Sequence, residues 1–78
     1  MAGDSEEQWA ERAKRFIKAE LKRADVTYEQ LAERLNRAGF SETKASIANK
    51  ISRGTFSGAF LLASLRTLGR ETIRIDDI

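Results

Sequence analysis

The 78-residue chain contains no cysteine, no histidine and no proline, and only one methionine, one tryptophan and one tyrosine. Without cysteine it can form neither disulfides nor thiolate metal sites. Without histidine it lacks the commonest metal ligand and the usual general base. These absences argue against an enzyme, and no catalytic residue, metal site or cofactor is assigned. Proline, which breaks helix interiors, interrupts nothing here. No apolar run approaches the roughly 20 residues that span a bilayer, and the opening MAGDSEEQ is acidic where a secretion signal is basic and then apolar. A cytoplasmic protein is expected. A single domain of this size buries only roughly 60% of its unfolded surface, so its stability margin is thin.

What the chain does have is helical periodicity with marked ends, and it predicts an all-α, compact four-helix domain over residues 6–71. A flexible acidic N-terminus (1–5) precedes it and a short extended tail (72–78) follows. The first helix should run from Glu6 to Ala24, opened by Ser5 with Gln8 three residues on as a capping box. Trp9, Ala13, Phe16, Ile17, Leu21 and Ala24 form its apolar stripe, with Lys14, Arg15, Lys18 and Lys22 opposite. Trp9 alone on such a stripe is read as core rather than as a platform for a base, and Phe56 and Phe60 likewise. Glu20 falls near the middle of the stripe, so it needs a partner. Thr27 and Gln30 box the start of a second helix, with Val26 and Leu31 as a hydrophobic staple, and Gly39 ends it. Ser41 is the expected cap of a third helix over 42–53, anchored by Ile47 and Ile51 and stopped by Gly54. Ser57 caps a fourth, apolar over much of its circumference and so central to packing. In the tail, Ile73 and Ile75 alternate with polar residues. They either pair as a strand across a dimer or, the favoured reading, lie over the core.

The segment Thr27–Gly54 thus consists of two short helices around a Gly-containing bend, with a polar outer face on the second, which is the layout of a helix-turn-helix. The charge distribution agrees with a nucleic-acid partner. Residues 1–11 carry four acids and no base, residues 12–53 carry eleven bases against five acids (net +6), and residues 54–78 balance at three each. A merely solvated helix surface would look similar. Gly54 and Gly58 do not sit between a strand and a helix, so no nucleotide loop is assigned.

The runs VTYEQLAERL, SIANKISRG and SGAFLLASLRTLG resemble phage repressor and Cro-type (XRE-like) helix-turn-helix domains over Phe16 to Gly69. The resemblance implies a lambda-repressor-like fold and a bacterial transcriptional regulator, associated with the nucleoid, that binds double-stranded DNA as a homodimer. It also suggests Arg53 as the partner of Glu20, since ion pairing between the first helix and the end of the third is common in such domains. One departure is plain. Asn36, Arg37 and Ala38 extend the second helix before Gly39, which would tilt the third helix from the usual pose. With its early Trp and the KISRGTFSGAF segment, the chain also looks like an uncharacterised group of small bacterial domains.

With Ile47 and Ile51 pointing inward, helical geometry turns Ala45, Ser46, Asn49, Ser52 and Arg53 outward, flanked by Lys44 and Lys50. The expected base contacts are Lys44, Ser46, Asn49 and Lys50, because Asn suits adenine, Lys suits guanine and Ser suits either. Expected backbone contacts are Arg34, Arg37 and Arg53, together with Thr27, Tyr28 and Gln30 at a positive helix end, where the family would place a phosphate clamp. The alternative is a protein-interaction adaptor that keeps the scaffold without base-specific contact. Helix four, the tail or helix one could supply a dimer contact.

Overall fold

Helix α1, Glu6–Ala24, begins where the sequence marks it: Ser5 Oγ accepts from Gln8 N–H while the Gln8 side chain accepts from Ser5 N–H. This computed structural model describes residues 5–78, so Met1–Asp4 of the expected acidic N-terminus lie outside the described residues. The helix ends on Asp25, the one non-glycine residue at positive φ (57°) among the described residues. Glu6 and Glu7 fall in its first turn and Lys22 and Arg23 in its last, both favourable to the helix dipole.

Helix α2, Tyr28–Arg37, repeats the reciprocal box with Thr27 and Gln30, and Gly39 at φ +101° turns the chain out of it. Val26 and Leu31 are both buried, as a staple requires. Helix α3 is Lys44–Arg53. The expected start at Glu42 under a Ser41 cap is corrected: Thr43 is the cap, its Oγ1 accepting from Ser46 N–H, and Ser46 Oγ accepts in return from Thr43 N–H. Helix α4, Gly58–Thr67, is capped by Ser57, and Gly69 at φ +91° follows its end.

The four helices share one core made of Ile17, Leu21, Leu31, Leu35, Ile47, Ile51, Phe60 and Leu68 with their neighbours. α2 packs on α3 and α4, and α1 packs on the same two. α3 meets α1 at a fixed point. Gly54, at φ +70°, lies so near α1 that a Cβ there would stand 2.5 Å from the Ala10 carbonyl oxygen.

Three expectations are corrected by this packing. Trp9 is not core: it is 40% exposed, and the Arg12 guanidinium lies 4.3 Å from its ring centroid. Glu20 does not meet Arg53, because contact between Gly54 and Ala10 puts the end of α3 beside the first turns of α1, roughly 15 Å along the helix from Glu20. Its carboxylate is instead gripped by Arg70 (3.0 Å to each oxygen) and Arg23 (2.8 Å), and Arg23 also donates to the Leu68 carbonyl. The hydrogen bonds from Arg70 and then Arg23 hold the Glu20 carboxyl below the ordinary glutamate value, outweighing the upward push of burial. The tail makes no strand among the described residues. It runs extended and then turns through a 3-10 segment, Ile75–Asp77. Ile73 lines a depression with Leu62 and Leu65, but Ile75 is exposed and covers no core.

Candidate nucleic-acid interface

Two fully buried isoleucines, Ile47 and Ile51, root α3 in the core and fix which of its sides meets solvent. Lys44, Ala45, Asn49, Ser52 and Arg53 are exposed on that side. Ser46, Asn49, Lys50, Arg53 and Thr55 line a shallow concavity of about 250 Å³ along it. Arg37, at the end of α2, is exposed, and Arg37, Lys44 and Arg53 have no carboxylate partner among the described residues.

The other expected contact residues are engaged within the fold. Ser46 is half-buried and belongs both to the α3 cap and to Glu42, donating to Glu42 Oε1 at 2.6 Å. Lys50 Nζ pairs with Glu42 Oε2 and lies 5.1 Å from the centroid of the Phe60 ring. Thr27 and Gln30 form the α2 cap, although the Gln30 amide N–H groups are not used by it. Tyr28 is half-buried against the core. Arg34 donates to the Thr67 carbonyl at 2.9 Å, closing the end of α4.

Asn36 and Glu42, to which the sequence assigned no contact role, shape this face. Asn36 acts as a substitute strand of backbone across the turn: its Oδ1 accepts from Glu42 N–H (2.7 Å) and its Nδ2 donates to the Glu42 carbonyl (2.9 Å). Glu42, in the turn before α3, is only 7% exposed and points inward. Burial pushes its carboxyl up, but the hydrogen bonds from Lys50 and Ser46 and the Lys50 charge hold it below the ordinary value. Among the described residues, the outer side of α3 therefore carries no acid of its own. At its far end this changes, where Glu6, Glu7 and Glu11 of α1 share a hollow of about 240 Å³ with Ser52, Arg53 and Thr55.

A family model described as a domain of unknown function, DUF6471, matches residues 9–73. The chain belongs to this family. No curated protein and no solved structure matches it. The matched span of the DUF6471 domain takes in α2, α3 and α4 whole and α1 from Trp9, and with them both buried glutamates and all their partners. It ends short of the 3-10 turn. No helix among the described residues is long and apolar enough to cross a membrane.

Proposed function

We propose that this DUF6471 domain binds double-stranded DNA as a small transcriptional regulator, laying the outer side of α3 in the major groove. The observation that carries this reading is an exposed Asn49 between Lys44 and Arg53 on a helix whose opposite side is locked by Ile47 and Ile51. A helix presenting Asn with Lys or Arg and small neighbours can enter the groove and bond base edges. Asn49 and Lys44 read bases, and Arg37 and Arg53 meet phosphates on either side. The carboxylates at the start of α1 repel phosphate, so the footprint extends from α3 toward Arg37 rather than toward Glu6 and Glu7. One domain offers too little contact area for useful affinity, and a homodimer on paired half-sites supplies the rest. This part of the reading, like the relation to phage repressor and Cro-type domains and to the nucleoid, rests on the sequence resemblance.

The test is fluorescence anisotropy of a labelled duplex across a salt series. Two phosphate-bound arginines per protomer, four in the homodimer, give a log–log slope of about −3.6, an affinity loss of about 150-fold between 50 and 200 mM salt. Asn49→Ala should reduce discrimination between sites, by about 1 to 3 kcal/mol at the base it reads, while Arg37→Ala weakens all sites alike. Binding that is undetectable at low salt would favour the adaptor reading. The exposed Trp9, Leu62 and Ile75 are the features that would then matter.

A further inference from the structure

Lys50 lines the α3 concavity, yet both of its close partners lie inward. Its ammonium group faces the Glu42 carboxylate on one side and the ring of buried Phe60 on the other. Glu42 cannot swing away to release it. Its backbone is held at both N–H and C=O by Asn36, its Oε1 by Ser46, and its side chain is only 4% exposed. A rigid, dry carboxylate is the strongest kind of competitor a phosphate can face for a lysine, because that carboxylate has already lost its water and would be left buried and unpaired if the lysine moved.

From this geometry we infer that Glu42 is a built-in counter-ion that withholds Lys50 from nucleic acid and thereby lowers the electrostatic, sequence-independent part of binding. The inference rests on the DNA reading above. Lys50 then lies beneath the duplex as a neutralised pair, and Asn49 dominates recognition where Lys50 would otherwise add a charge blind to sequence. The consequence is specificity gained at the expense of affinity, since phosphate contacts raise all sites equally and base contacts do not.

The experiment compares the salt dependence of duplex binding for the full chain, for Glu42→Gln and for Glu42→Gln/Lys50→Met, with circular dichroism melting of each to establish that it is folded. Glu42→Gln frees one lysine for phosphate. With one lysine freed in each protomer of the homodimer, its log–log slope should steepen by about 1.8, so that lowering salt from 200 to 50 mM gains about 12-fold more affinity than in the parent. The preference for a selected site over a mixed-sequence duplex should fall at the same time. The double variant leaves no orphan charge and is the one best placed to fold, and its slope should equal that of the parent. A double-variant slope shallower than the parent's by about 1.8 would show that Lys50 already touches phosphate in both protomers and would overturn the inference, as would an unchanged slope in folded Glu42→Gln. Absence of binding by all three would instead overturn the DNA reading, and the counter-ion role with it.

Discussion

Two buried carboxylates each tie separate segments of the fold together. Glu20 ties α1 to the segment after α4 through Arg70, and Glu42 ties the α2–α3 turn to α3 through Lys50 and Ser46. Both titrate below the ordinary glutamate value in the folded state. Their ionised forms therefore contribute stability that is fully present above the unfolded glutamate pKa of about 4.3 and is lost as pH falls through and below it. Urea denaturation followed by circular dichroism should show the midpoint falling between about pH 6 and about pH 3, and falling less in Glu20→Gln, whose amide does not titrate. Equal falls in parent and variant would show that Glu20 contributes nothing to acid sensitivity. That Glu20 needed a partner was legible in the sequence from its place on the apolar stripe. Arg23, one turn on along α1, was within reach of helical spacing; Arg70 was not, because it is fifty residues away and reaches Glu20 only once α4 has packed.

At the scale of elements, most helix ends could be read from local chemistry. The Ser5–Gln8 and Thr27–Gln30 boxes and the glycines at 39 and 54 act within a few residues, so no knowledge of the fold was needed. The start of α3 failed that reading for a stated reason. Ser41 and Thr43 are both able caps, and what selects Thr43 is the pull of Asn36 on the backbone of Glu42, a bond made only when α2 and α3 are in place. Trp9 failed differently. α1, at 19 residues, is about 28 Å long and the others, at 10 residues, about 15 Å, so its first turns overhang the core and an apolar stripe there outruns its cover. The Asn36 bridge gives a direct expectation. Asn36→Ala removes two hydrogen bonds and should cost about 1 to 3 kcal/mol by chemical denaturation, with the amide of Glu42 losing protection in hydrogen exchange more than those of α1. A loss confined to α1, or none, would remove Asn36 from its assigned role.

For the molecule as a unit, a single small core has to support the exposed α3 surface. Leu31 and Ile51 are fully buried within it, and either changed to Ala should cost about 2 to 5 kcal/mol, enough to unfold much of the population of so small a domain. A near-zero change in the denaturation midpoint would refute the assigned core. The candidate face was legible as a set of residue types, since helical geometry places Asn49 and Arg53 outward once Ile47 and Ile51 face in. Its internal economy was not, because the engagement of Ser46, Lys50 and Arg34 with Glu42 and Thr67 depends on distances that sequence spacing does not contain. The most direct test of the central claim is titration of the isotope-labelled chain with a short duplex, followed by amide and side-chain NMR shifts. Perturbations should concentrate at Arg37, Lys44, Ala45, Asn49 and Ser52, with the Asn49 side-chain amide among the largest. Shifts clustered instead at Trp9, Leu62 and Ile73, or none at low salt, would contradict that claim.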